Sequence, residues 1–351
     1  MEPVQLLDPD GELSPHPRWP LDVTPDLCRD LFRRMTLARC FDDEALALQR
    51  QGELGLWLQS LGQEAAQIGS MTALRSDDYV FPSYREHAAG LVRGITPAEL
   101  LIQWRGNAGS GWDPSRYRFH INTLVLAAQL PHATGYAMGV GRDGTDEIVV
   151  AYFGDGATSQ GEANEAFNWA AAAEVPLLFF CQNNQWAIST PTQTQMRAPL
   201  HQRARGFGLD AHLVDGNDVL AVHAVTSAVA AQIRGGGGPA LIEAVTYRMA
   251  GHSTSDDPGR YRTPGELDTW KDRDPIARLE ALMVARGWLD DELRQELAAE
   301  GAALAAETRR VCRELPLGDM RALFGSVLAE ETVLLTTERQ QYEALVASYI
   351  D

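Results

Sequence analysis

Residues 147–184 constrain the fold more than any other stretch, because they spell out one parallel strand–helix–strand crossover. Residues 147–153 (EIVVAYF) form a β-branched and aromatic run of the kind that becomes a buried strand, and Gly154-Asp155-Gly156 breaks it sharply. The pattern turns helical, rich in Ala and Glu, from about Gln160 to Ala173. Pro176 then opens a second apolar run, residues 177–181, which ends at Asn183-Asn184. The interval of 29 residues from Asp155 to Asn184 matches one crossover of roughly 30 residues, so both polar side chains are expected side by side at the carboxyl edge of one sheet.

The surrounding chain extends this pattern. Thr24 is a helix cap with Pro25 in the first turn, and helical periodicity runs to about Gln51 before Gly52. Further helices are expected over 62–74 and 97–106, flanking a short apolar segment at 79–84. A glycine-rich loop follows at 106–114, and helical character resumes over 124–141. Residues 211–214 and 240–246 read as more strands. Helices alternating with such strands imply an α/β fold, a parallel sheet flanked by helices on both faces. The four glycines at 235–238 lack the lysine and hydroxyl of a phosphate loop and read as a connector. Beyond Asp274 the chain is mainly amphipathic helix, clearest over 292–315 and 332–349; such faces suit core packing and some subunit contact. The expected organisation is a mobile N-terminal arm (1–24), an α/β domain (25–270) and a helical C-terminal tail (271–351) packed on the same domain.

Composition narrows the function. At 351 residues and 45% hydrophobic, the chain can bury one large α/β core or two modest ones, and the gradual composition changes favour one. The formal charge of −18 argues against nucleic acid or an anionic membrane surface as a partner. Lys271 is the one lysine, which rules out chemistry needing a second. Cys28, Cys40, Cys181 and Cys312 have no metal-ligand spacing and suit a reducing compartment. No apolar run reaches the roughly 18 residues of a membrane helix, and the acidic, proline-rich start resembles neither a secretory signal nor a transit peptide. A bacterial cytoplasm is the expected location.

Three places carry chemistry. Magnesium takes oxygen ligands, commonly one or two carboxylates plus phosphate oxygens, which Asp155, Asn184 and a nearby backbone carbonyl could complete around a diphosphate. Flanking Gly154 and Gly156 let backbone amides approach phosphate, and the next helix would direct its positive end there. In Tyr84-Arg85-Glu86-His87, the arginine fork and tyrosine hydroxyl suit a diphosphate, although such a pair taken alone is more often a surface feature. His87 is open to either a site or a structural role. His252, in the loop TYRMAGHSTSDDPGRYR after a strand, is the one side chain there able to exchange a proton near neutral pH.

The segment from Gly154 to Asn184 resembles the thiamin diphosphate signature, which begins with Gly-Asp-Gly and ends with Asn-Asn. From about Pro25 to near the C-terminus the chain resembles the α subunit of the decarboxylating component of 2-oxo acid dehydrogenases. The likeness is strongest to the branched-chain enzymes, through FFCQNNQWAISTP, LVDGNDV, TYRMAGHSTSDDP and DPIARLEALMVARGWLDDE. The resemblance implies a thiamin diphosphate-binding fold and oxidative decarboxylation of a 2-oxo acid such as 3-methyl-2-oxobutanoate, with reductive acylation of a lipoyl group. It assigns magnesium to the side chains of Asp155 and Asn184 and the carbonyl of Trp186. It sets Gly154, Gly156, Tyr84 and Arg85 against the cofactor, uses Leu126 as the apolar prop beneath its bent form, and makes His252 a diphosphate contact and catalytic residue at the acyl-transfer entrance. Ser253 falls at a phosphorylated position of animal relatives, where a plain hydroxyl hydrogen bond is expected here. Implied partners are a β subunit in an α2β2 heterotetramer, which supplies the aminopyrimidine-activating glutamate, and a lipoyl-bearing acyltransferase. Two departures stand out: a shortened stretch, GNAGSGWDPSRYRFHIN, with His120 as substitute for the family histidine, and Ala128 where animal relatives have a potassium-site threonine. Pyruvate and acetoin dehydrogenase α subunits share most of these motifs, and a noncatalytic magnesium-diphosphate-binding subunit is the alternative outside the class.

Overall fold

The structure, a computed structural model, describes residues 2–107, 111–316, 318, 321–326 and 328–349. Its strands in chain order are β1 (Tyr79–Phe81), β2 (Val149–Gly154), β3 (Leu177–Asn183), β4 (Trp186–Ala187), β5 (Thr190–Pro191), β6 (Asp210–Asp215) and β7 (Ala240–Val245). Five of them form a parallel sheet in the order β1-β2-β3-β7-β6, and β4 and β5 form a separate antiparallel pair. The crossover is as expected: β2 and β3 are parallel neighbours joined by the helix Gly161–Ala172.

Alternate strand residues divide between two apolar layers, as the period of two requires. Val150, Tyr152, Leu178, Phe180 and Ile242 pack with helices Pro25–Arg50, Glu64–Thr72 and Val219–Gln232. Val149, Ala151, Phe153, Leu177, Phe179 and Leu241 pack with helices Gln129–Asp143, Gly161–Ala172 and Leu200–Gly206. Near-continuous apolar strands are therefore buried on both faces. Thr24 caps Pro25–Arg50 by accepting from the Leu27 amide at 3.2 Å, with Pro25 in the first turn. The four-glycine run lies in the connector between Val219–Gln232 and β7, where Gly236 and Gly238 take positive φ.

Residues 2–24 differ from the expected mobile arm. Val4 bridges to Val214 of the edge strand β6, exchanging backbone hydrogen bonds of 2.8 and 3.0 Å with Leu213 and Asp215. The amides of Leu6 and Leu7 both donate to Asp218 Oδ2 at 2.7 Å, and Leu6, Leu7 and Trp19 are buried. The apolar residues scattered through this acidic, proline-rich start cover a sheet edge that would otherwise present unpaired backbone groups. Within the tail, Pro275–Ala285 and Asp291–Glu314 each bury residues in the domain core, whereas Val333–Ala347 buries none. Among the described residues no helix is long and apolar enough to cross a membrane.

Candidate active site

Residues that follow β2, β3 and β7 line one cavity of about 430 Å³, together with residues 83–86, 123, 124, 126, 127 and the β4 region. Gly154 ends β2 opposite Gln182 of β3, so Asp155 leaves the sheet beside Asn183, with Asn184 one residue farther along. Asp155 is only 1% exposed. Its Oδ2 accepts from Thr192 Oγ1 at 2.5 Å and from Gln195 Nε2 at 3.2 Å, while its buried Oδ1 has no partner. Burial raises its pKa, and the bonds from Thr192 and Gln195 oppose that rise. Asn184 donates from Nδ2 to Gln63 Oε1 at 3.1 Å, and its Oδ1 accepts from the Trp186 amide at 3.3 Å. Trp186 opens β4, and its carbonyl accepts from Arg248 Nη1 at 3.1 Å. Gly156 is required for this closure, since a Cβ there would lie 2.7 Å from the Cβ of Ala187 in β4. The residues here that line the cavity, Gly154, Asp155, Gly156 and Ala157, belong to the strand end and a short 3-10 turn; the helix expected to point at phosphate begins later, at Gly161.

Tyr84, Arg85 and His252 also line the cavity. Arg85 is buried, donates from Nη1 to the Gln59 carbonyl at 2.5 Å and from Nη2 to the His252 carbonyl at 2.9 Å, and lies over the Tyr84 ring. Tyr84 meets the His252 ring edge to face, with centroids 6.1 Å apart. The His252 amide donates to Asp256 Oδ2 at 2.7 Å, a carboxylate oxygen that also takes the Tyr261 hydroxyl at 2.5 Å. Desolvation, followed by the charges of Arg85 and Arg248, pushes the His252 imidazole down to about 4, so it is neutral at physiological pH. Neighbouring Ser253 Oγ accepts from the Ser255 amide at 3.2 Å, an ordinary hydroxyl hydrogen bond.

Leu126 also lines the cavity, but not from a helix. The helical pattern expected from residue 124 begins at Gln129; residues 125–128 form a turn in which Ala127 adopts φ 67°. A left-handed alanine costs roughly 1–2 kcal/mol and stops helical continuation, which leaves Leu126 on the cavity wall and 39% exposed.

Two histidines stand elsewhere. His87 is buried, stacked on Trp57 at 4.2 Å and bonded through Nε2 to the Leu58 carbonyl at 3.2 Å; burial lowers its pKa to about 3, so its role is structural. His120 is not among the cavity-lining residues: its amide donates to the Val80 carbonyl at 2.7 Å and its Nδ1 lies 3.3 Å from the Tyr79 hydroxyl. Residues 108–110 of the shortened stretch fall outside the described residues. Sequence reasoning missed Gln63, Glu86, Gln182, Thr192 and Arg248. Arg248 offered one signal, its place in the loop after β7, because such strand-end loops carry active-site groups.

The donors fit a hard cation with an anionic ligand. Among the described residues no three His, Cys, Asp or Glu side chains form a metal cage, so a cation here would take most of its donors from amide, carbonyl and ligand oxygens. The unpartnered Asp155 Oδ1, the buried and unpartnered Nε2 of Gln63 and Nε of Arg248, and the neighbouring Arg85 provide one acceptor and several donors around the same space. That set suits magnesium and a diphosphate.

A model of the dehydrogenase E1 component family matches residues 32–314. The chain belongs to that family. The match takes in all seven strands and every cavity-lining residue, and it stops at the last residue of the helix Asp291–Glu314. Among individual relatives of this E1 chain, the 3-methyl-2-oxobutanoate dehydrogenase subunit alpha of Mycobacterium tuberculosis is 41% identical over 348 residues, covering 99% of this chain and 95% of the relative. The human mitochondrial 2-oxoisovalerate dehydrogenase subunit alpha is 36% identical over 326 residues, with 90% of this chain and 73% of the relative covered. An Arabidopsis thaliana 2-oxoisovalerate dehydrogenase subunit alpha is 34% identical over 334 residues, covering 92% and 71%. The mycobacterial alignment is long enough to include nearly all of the N-terminal segment that packs on β6, which the family model omits.

Proposed function

We propose that the chain is the α subunit of a branched-chain 2-oxo acid dehydrogenase. It binds thiamin diphosphate through magnesium, pairs with a β subunit in an α2β2 assembly and passes the acyl group to a lipoyl-bearing acyltransferase. The observation that carries this reading is the convergence of Asp155, Asn184 and Trp186 with Tyr84, Arg85 and His252 in one cavity of an E1-family chain. The four free cysteines suit a reducing compartment such as a bacterial cytoplasm.

Thiamin diphosphate, when bound, supplies the electron sink for decarboxylation. The chain's own residues do the rest. Asp155, the Asn184 amide oxygen and the Trp186 carbonyl would offer oxygens to the cation, and Arg248 holds that carbonyl through its Nη1 hydrogen bond. Arg85 keeps N–H groups beyond those given to Gln59 and His252, enough to bind a phosphate oxygen, with Tyr84 beside it. Leu126, on the cavity wall, would brace the cofactor. Leu56, Leu58, Leu124, Leu126 and Ile188 give the cavity an aliphatic side that suits a branched substrate better than a methyl group.

The test is decarboxylation by the chain reconstituted with its β subunit, across pyruvate and branched 2-oxo acids. Each methylene in an apolar pocket is worth about 1–3 kcal/mol, so kcat/KM for 3-methyl-2-oxobutanoate should exceed that for pyruvate by about tenfold or more. A preference for pyruvate would move the chain to the pyruvate enzymes. Cofactor binding with no turnover of any 2-oxo acid would make it a noncatalytic subunit.

His252 gives a narrower expectation. Replacing it with alanine should lower lipoyl acylation about 100-fold, within the range of a lost acid–base group, and lower decarboxylation with an artificial electron acceptor much less. The side chain is half-buried, so the melting temperature should move by no more than a few degrees. Equal loss of both rates would confine His252 to cofactor binding, and wild-type rates would make it a bystander.

A further inference from the structure

Asp155 is held at one oxygen and left open at the other, and the residue that holds it sits on a different piece of chain. Thr192 begins the four-residue helical turn Thr192–Gln195, directly after the β4–β5 hairpin. Its hydroxyl has one proton. That proton goes to Asp155 Oδ2 at 2.5 Å, the shorter of two contacts, the other being Asn183 Oδ1 at 3.3 Å. Gln195, at the other end of the turn, adds a second donor to the same Oδ2 at 3.2 Å and also donates to the Thr190 carbonyl at 3.2 Å.

The hairpin between these two contacts starts with Trp186, the carbonyl proposed to face the metal, and the Thr192 amide closes back on the Gln185 carbonyl at 3.0 Å. One hydroxyl therefore ties the end of β2 to the segment that carries Trp186. The carboxylate torsion of an aspartate is broad and roughly two-fold, so nothing intrinsic to Asp155 selects which oxygen faces inward. A charge-assisted hydrogen bond to Oδ2 selects it, and the unpartnered Oδ1 is what remains for a ligand in the cavity.

We infer that Thr192 is a positioning residue for the magnesium site: its hydroxyl pins Asp155 Oδ2 so that Oδ1 meets the cation, and it staples the Trp186 hairpin to the sheet edge in the same contact. Gln195 is the weaker second pin. Gly156 completes the device by letting Ala187 of that hairpin lie against the Asp155 turn, where a Cβ would approach to 2.7 Å. The inference rests on the magnesium-diphosphate reading of the cavity and adds to it a residue that touches neither metal nor cofactor.

The experiment is a magnesium chloride titration of the full chain with its β subunit at fixed thiamin diphosphate, followed by calorimetry and by intrinsic tryptophan fluorescence, to which Trp186 in the site contributes. Thr192→Val keeps the shape and removes the hydroxyl; it should raise the magnesium midpoint about tenfold, equivalent to about 1.4 kcal/mol. Thr192→Ser should restore the midpoint to within about twofold, and Gln195→Met should shift it by about threefold. Melting temperatures without magnesium should agree within a few degrees, because Thr192 is partly exposed. A Thr192→Val midpoint within twofold of wild type overturns the inference while leaving the metal site standing. A shift that serine does not rescue overturns it too, by assigning the effect to the methyl group. Absence of magnesium-dependent binding in the unsubstituted protein would instead remove the reading on which it rests.

Discussion

Asp155→Ala should cost the chain its magnesium-dependent grip on thiamin diphosphate while leaving it folded. Two carboxylates are among the described residues lining the cavity, and they are not equivalent. Glu86 has both oxygens engaged, Oε2 by the Ser83 amide and hydroxyl at 2.6 and 2.8 Å and Oε1 by Gln182 at 2.5 Å. Asp155 alone keeps a free oxygen, Oδ1. Removing it leaves the cation and diphosphate short of one buried negative charge. Loss of one partner from a buried charge pair costs about 3 kcal/mol or more, roughly 100-fold in affinity. The fold has no such dependence. Burial raises the pKa of Asp155, which means its charge is a cost to the fold, and the donors it releases on Thr192 and Gln195 are partly exposed and can bond to water. Calorimetry with saturating magnesium and a thermal melt of each protein check both halves. Unchanged thiamin diphosphate affinity in the variant would sink the assignment of Asp155 to the metal.

The parts of the site that were legible in the sequence are those written in local pattern. Strand, glycine break, helix and strand at crossover spacing placed Asp155 beside Asn184, and the period of two in residues 149–153 sorted those side chains between two cores. What escaped depends on pairs far apart in the chain. Gln63 meets Asn184 from 121 residues away, and Arg248 meets Trp186 from 62. Neither contact leaves a periodic trace, because each exists only after the sheet has formed and brought its carboxyl edge together. The N-terminal segment failed for a related reason. Its prolines and acidic residues have a disordered composition, yet three or four apolar side chains suffice when an edge strand with unpaired backbone groups waits for them. Leu126 fell between the two cases: its residue type was readable, but the left-handed Ala127 that turns it out of a helix was not.

The purified chain alone should not turn over a 2-oxo acid, and adding its β subunit should restore decarboxylation from background. The cavity explains why. Three of its lining side chains, Leu124, Leu126 and Ile188, are apolar and left in solvent, and Val125, between the first two in the chain, is 71% exposed. Isolated exposed apolar residues are commonplace, but three lining one functional cavity, with a fourth adjoining them in the chain, mark a surface that another chain covers. Polar groups that would hold the diphosphate end are present in this chain, whereas the described residues contain one five-stranded parallel sheet and no second unit to grip the aminopyrimidine end. An open mouth also admits water to any carbanion formed there, which a closed site must exclude. Decarboxylation followed with an artificial electron acceptor, for the chain alone and with increasing β subunit, should saturate at a one-to-one ratio of the two chains. Substituting Val125 with a charged residue, Val125→Asp, should weaken that association while leaving the fold of the free chain intact, since the side chain lies mostly in solvent. Substantial turnover by the chain alone would show that it carries a complete site and would overturn the division of the active site between two subunits.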